Sequence, residues 1–114
     1  MIKIYHNPRC RKSRKGLALL EKSGKEFEVV KYLEDIPTKE ELRAIVSSLG
    51  ISTEHLIRKN EAVWKEKFRG KLLTDEQVLD AMLAHPKLIE RPIVLRNGKA
   101  VIGRPLENIT RLLN

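Results

Sequence analysis

Apolar and polar positions alternate from the start of the chain. Ile2 and Ile4 flank Lys3 and lead to Tyr5, which predicts a short strand. His6-Asn7-Pro8-Arg9 interrupts the pattern as a turn, because Asn-Pro disfavours regular structure. A helix is expected from at or just after Cys10 to Ser23, with Leu17, Leu19 and Leu20 to one side and Gly24 as its stop. Alternation returns over Glu26 to Tyr32, where Phe27, Val29 and the β-branched neighbours predict a second strand.

The middle of the chain changes period. Thr38 followed by Glu41 is a capping box, and Leu42, Ile45, Val46 and Leu49 form one helical stripe that Gly50 terminates. Ser52 opens a short helix containing Leu56 and Ile57, with Arg58 at its end. Glu61 to Phe68 predicts another, anchored by Trp64. Thr74 with Gln77 is a second capping box, backed by Val78, Leu79, Met82 and Leu83, and His85-Pro86 ends that helix. Then Ile93-Val94-Leu95 and Ala100-Val101-Ile102 bracket Asn97-Gly98, the preferred type I′ turn, whose two central residues need positive φ. Pro105 is expected to open a last helix carrying Ile109, Leu112 and Leu113. The order is β-α-β, an inserted helical block over about residues 38–86, then β-β-α. A βαβ crossover makes parallel neighbours and a tight hairpin antiparallel ones, so the expectation is an α/β protein with a mixed four-stranded sheet.

With 114 residues the chain is expected to form one domain, since two separate cores would each be too small. No apolar run exceeds four residues, as in Leu17–Leu20, far short of the roughly 20 a membrane helix requires. The polar, basic stretch after Tyr5 does not read as a secretory signal, so a cytoplasmic location is expected. One cysteine, Cys10, excludes an internal disulfide and a cysteine-built zinc site; with His6, His55 and His85 scattered, no metal site is expected.

The net charge of +8 is distributed in blocks. Residues 1–25 carry net +7, 26–56 net −4, 57–73 net +4, 74–90 net −3 and 91–114 net +4. Such alternation, with only five aromatic residues, disfavours nucleic-acid binding. It leaves two readings of the basic segments: an anion site around Cys10, or separate solvated faces.

Cys10 falls where a strand turns into a helix, and Arg9, Arg11, Lys12 and Arg14 surround it. A helix N-terminus and nearby cations both favour thiolate over thiol. A buried filler would not be bracketed by four cations, so the chemical reading outweighs the packing one. The Ser13 hydroxyl is placed to donate to the sulfur. His6 could orient the loop or exchange protons, while His55 and His85 read as structural. Arg91 and Arg104 each precede a proline at a strand end, and Arg58 ends a short helix. Arginines held extended before proline can converge, and guanidinium matches a tetrahedral oxyanion through bidentate bonds.

His6-Asn7-Pro8-x-Cys10-x-x-Ser13-Arg14, Arg58-Lys59-Asn60, Arg91-Pro92-Ile93-Val94 and Gly103-Arg104-Pro105 together resemble the glutaredoxin-coupled arsenate reductase family, which includes the Spx-type regulators. The resemblance spans nearly the whole chain, and it implies a thioredoxin-like fold: a single domain over residues 1–114 with the helical block inserted. It further implies that Cys10 attacks arsenate, that Arg58, Arg91 and Arg104 hold the oxyanion, that His6 and Ser13 assist, and that Arg91-Pro92 is cis. No bound cofactor is implied. With no second cysteine, the reducing electrons must come from outside, and the resemblance names glutathione and glutaredoxin as their source. The alternatives are an Spx-like regulator that binds RNA polymerase, or a thiol-dependent oxidoreductase of the same scaffold with another substrate. The regulator ranks lower because position 13 is serine, which removes the Cys-x-x-Cys switch.

Overall fold

The computed structural model describes residues 2–114. The chain divides into two compact units, Met1–Asp35 with Arg91–Asn114, and Ile36–Glu90.

The first unit holds the whole sheet. Strands β1 (Ile2–Tyr5), β2 (Phe27–Val30), β3 (Ile93–Arg96) and β4 (Lys99–Ile102) lie in the order β2-β1-β3-β4. β1 pairs parallel with β2, Ile4 opposite Val29, and antiparallel with β3, Ile4 opposite Val94; β3 and β4 form the expected hairpin. Asn97 (φ 50°) and Gly98 (φ 79°) supply the positive dihedrals of its turn. The inner strands carry the fully buried residues Ile4, Ile93 and Val94. Helices α1 (Arg11–Ser23) and α5 (Glu107–Leu113) pack on one face through Leu20, Ile109 and Leu113, against Ile2, Ile4 and Val94. Each such side chain, once fully buried, contributes about 1.5–3 kcal/mol to burial of apolar surface.

The second unit contains α2 (Lys39–Leu49), α3 (Ala62–Lys67) and α4 (Asp75–Ala84), with single 3-10 turns at Thr53–Leu56 and Pro86–Leu88. Both predicted capping boxes form, Thr38 with Glu41 and Thr74 with Gln77. Lys39 bridges Glu76 (2.7 Å) and Asp80 (2.9 Å), and Arg43 grips both Glu76 oxygens, tying α2 to α4. Arg43 first, then Lys39, hold the Glu76 carboxyl down at about 2.

Three boundaries differ from expectation. β2 stops at Val30 rather than Tyr32, because the Lys31 carbonyl instead accepts the N–H groups of Glu34 and Asp35 in a turn. α5 starts at Glu107 rather than Pro105; the segment before it is fastened by Asn108 Nδ2, which donates to the Ile102 and Arg104 carbonyls. The helix after Ser52 is one 3-10 turn that leaves Ile57 outside, in a bridge with Ile89.

Candidate active site

β1 feeds the chain into a loop built around Asn7. The His6 N–H donates to the Val30 carbonyl (2.8 Å), carrying the β1–β2 pairing one residue further. Asn7, itself buried, then makes three bonds. Its N–H donates to Ser13 Oγ (2.9 Å), its Oδ1 accepts the Arg9 N–H (3.0 Å), and its carbonyl accepts the Cys10 N–H (3.0 Å). The sequence marked Asn7 only as a breaker. An asparagine that bonds the backbone two residues on is the signal that could have identified it as the loop's hub.

Cys10 is the N-cap of α1, in extended conformation, and its carbonyl accepts the Arg14 N–H (2.9 Å) to close the first turn. Its thiol is free and half-buried. No acidic residue occupies the first turn of α1, so the positive end of the helix dipole is uncompensated there.

Two arginines reach the sulfur from the far end of the sequence. Arg104 Nη2 lies 3.9 Å from it, at the long limit for a bond to sulfur, and the Arg91 guanidinium acts on it through its charge. Burial pushes the Cys10 thiol up. The Ser13 backbone N–H, the Arg91 guanidinium and the Lys12 backbone N–H outweigh it, leaving the thiol more acidic than an ordinary cysteine. The acidifying charge is therefore Arg91's, while Arg104 stands slightly off. Arg104 Nε donates to the Arg91 carbonyl (3.0 Å), which fixes the two arginines to one another. Arg91 Nε is buried and has no hydrogen-bond partner among the described residues. The Arg91-Pro92 bond is cis, as expected, and so is Arg104-Pro105.

Close packing holds this arrangement. The Gly103 N–H donates to the Pro92 carbonyl (2.8 Å). A Cβ on Gly103 would sit 2.8 Å from Pro92 Cγ and from Ile109 Cδ1, so only glycine lets the end of β4 approach the proline loop. A Cβ on Gly16 of α1 would meet the same two side chains at 3.0 and 3.1 Å.

The expectation for the Ser13 hydroxyl is corrected. Ser13 is fully buried, and its Oγ is engaged with His6 Nδ1 (2.7 Å) and the Asn7 N–H rather than with the sulfur. Burial lowers the His6 pKa, and the charges of Lys31 and Arg14 add to that, against a raising bond with Ser13. The imidazole is therefore neutral at pH 7, a partner of Ser13 inside the loop.

Arg58 belongs to the second unit. Its N–H donates to the Leu88 carbonyl (2.7 Å), and its guanidinium pairs with Glu90 (3.2 Å) and Glu61 (3.6 Å). His55 is exposed, and the His85 ring packs edge-on to Phe68. Among the described residues, no group of three His, Cys, Asp or Glu side chains could hold a metal ion, and no helix is long and apolar enough to cross a membrane.

A nucleophilic thiol set among guanidinium groups and free helix N–H groups can attack a bound oxyanion and stabilise the charge that develops. Comparison with known proteins places the chain. The ArsC family model matches residues 5–112. The chain belongs to the ArsC family. Arsenate reductase of Neisseria meningitidis serogroup A, one of its relatives, is 49% identical over 114 residues, 98% of this chain and 97% of that one. Arsenate reductase of Escherichia coli K12 is 40% identical over 113 residues, 98% of this chain and 80% of that one. The solved arsenate reductase of Vibrio cholerae superposes with a TM-score of 0.92 at 46% identity, covering 96% of this chain and 95% of that one. The mixed sheet with its packed helices is thus the thioredoxin-like α/β arrangement of ArsC-family structures.

Proposed function

We propose that this ArsC-family protein is an arsenate reductase in which Cys10 is the sole nucleophile. The Cys10 thiolate attacks arsenic, an arsenic–sulfur bond forms, and one arsenate oxygen departs as water after protonation. Arg91 and Arg104 disperse the anion's charge. His6 and Ser13 keep the attacking loop in shape. The adduct still needs two electrons. Two external thiols provide them and leave as a disulfide while arsenic falls from the +5 to the +3 state. Glutathione and glutaredoxin fit that role, in a cytoplasmic setting, and no bound cofactor is called for.

The reading rests chiefly on one observation: a half-buried thiol with Arg104 Nη2 at 3.9 Å, made more acidic by the Arg91 guanidinium among its neighbours. The names of the relatives at 40–49% identity support arsenate as the anion. The test is arsenate reduction by purified protein with glutathione and glutaredoxin present or omitted. Turnover should require external thiol and vanish in Cys10→Ser. Reduction beyond one equivalent without thiol, or activity surviving in Cys10→Ser, would refute it.

A further inference from the structure

Asparagine is a poor helix former and a good helix cap, yet Asn108 lies inside the first turn of α5 and caps nothing. The cap position is Leu106, and no side chain bonds the free N–H groups there. The half-buried Asn108 side chain turns back on the chain instead. Its Nδ2 donates to the Ile102 carbonyl at 3.0 Å and to the Arg104 carbonyl at 3.3 Å. Both partners are carbonyl oxygens, so only the amide nitrogen can face them. The two bonds straddle Gly103, whose own N–H is held by the Pro92 carbonyl (2.8 Å). Residue 105 is proline and has no N–H with which to fasten the segment. The Arg104 backbone is thus held from one side through Gly103 and from the other by Asn108.

That backbone carries a guanidinium to the sulfur. Arg104 Nε donates to the Arg91 carbonyl at 3.0 Å, and Nη2 stands 3.9 Å from Cys10 Sγ. The second distance is already long, so an outward shift of residue 104 breaks the contact. Asn108 has no bond to Cys10 and lies outside the set of groups that acidify it, namely the Ser13 and Lys12 N–H groups and Arg91.

We propose that Asn108 is a positioning residue for the anion site: its amide fixes residue 104 so that the Arg104 guanidinium stands at Cys10. The inference rests on reading Cys10 and Arg104 as one oxyanion site. Asn108 touches neither the anion nor the sulfur and acts through Arg104 alone.

The test uses the full reduced chain and two alkylating agents. Iodoacetate carries a carboxylate and iodoacetamide does not. Both react with the same thiolate, so the ratio of their rates cancels the Cys10 pKa and reports the positive charge at the sulfur. In wild type that ratio should exceed the one for 2-mercaptoethanol, a thiol with no cation beside it. A unit charge at about 4 Å is worth about fivefold in water, and the carboxylate sits somewhat beyond the sulfur, so a loss of about threefold is expected. Asn108→Leu, which keeps the shape and removes the donors, should show that fall, and so should Asn108→Ala, which adds no bulk. Arg104→Ala should lower the ratio at least as far, and adding Asn108→Leu to it should lower the ratio no further. The proposal is overturned by a wild-type ratio no higher than that of 2-mercaptoethanol, by a ratio unmoved in both Asn108 variants or in Arg104→Ala, or by falls that multiply in the double variant, as loosened packing alone would give. Arsenate enters nowhere, so failure here leaves the arsenate assay standing, and failure of that assay leaves this result standing.

Discussion

Gly103→Ala should destabilise the protein far more than Gly16→Ala, although the two glycines touch the same side chains. At Gly103 an added Cβ would lie 2.8 Å from both Pro92 Cγ and Ile109 Cδ1. Pro92 is buried and Ile109 is fully buried, so neither has room to withdraw. Overpacking of this kind costs about 1–3 kcal/mol, and two immovable walls place it in the upper half. Alanine restricts the unfolded chain and returns about 0.4–1 kcal/mol. The net loss is about 1–2.5 kcal/mol. With an unfolding entropy of about 2.1 cal/mol/K per residue, a chain this size loses about 4 °C per kcal/mol, so Tm should fall by about 4–10 °C. At Gly16 the corresponding distances are 3.0 and 3.1 Å, a squeeze of a few tenths of an ångström. There the helix gains about 0.8–1 kcal/mol on replacing glycine, which nearly cancels the strain. Calorimetry on the two variants decides the matter. Ile109→Val, which removes Cδ1, should restore part of the Gly103→Ala loss, seen as a favourable coupling in a double-mutant cycle. A Gly103→Ala protein melting with wild type, or one that Ile109→Val does not help, would show that the close approach is not what the packing requires.

Three further outcomes are expected. The pH midpoint for iodoacetamide alkylation of Cys10 should lie below the ordinary free-cysteine value of about 8.5 and should rise in Arg91→Ala; a midpoint unmoved by that change would deny Arg91 its acidifying role. Because the folded pKa of His6 is lowered from the ordinary 6.5, the unfolded chain takes up its proton first. Its contribution to stability is thus complete above about pH 6.5 and is lost as pH falls toward the folded value; denaturant titrations of wild type and His6→Gln should diverge there, and parallel curves would contradict the buried neutral imidazole. Arsenate at 100 times its Kd should raise stability by about 2.7 kcal/mol, a shift of several degrees, with phosphate giving a similar or smaller one, and Arg104→Lys should not preserve the full shift. No shift with either anion would remove the oxyanion site.

Local chemistry was legible where it is written in neighbouring residues. Asn97-Gly98, the two capping boxes and Gly24 each specify a turn or a terminus within a few positions, and each is found in place. Cys10 at the entry to α1 belongs to the same class. Partnerships across the chain were not legible from periodicity. Arg104 meets Cys10 across 94 residues, and only its place before a proline hinted at it; the family resemblance supplied the rest. The end of β2 was missed because Lys31 and Tyr32 continue the strand pattern, while the turn is set by the Lys31 carbonyl. The engagement of Ser13 was hidden for a different reason. A hydroxyl one turn into a helix can serve the cap, the preceding loop or the sulfur, and only the position of His6 decides.

The meeting of Gly16, Pro92, Gly103 and Ile109 makes the sulfur's surroundings hang from a single apolar knot. Cys10 heads the helix that contains Gly16, Arg91 is joined to Pro92, and Arg104 is joined to Gly103. The thiol and its two guanidinium neighbours are thus three pendants on one anchor. They hold their mutual spacing because the anchor cannot be compressed, and they move together if it is reshaped. The reactive centre can consequently be retuned from behind. A change of volume at Ile109, a residue with no polar atom in its side chain, is expected to shift the nucleophile and its guanidinium neighbours together.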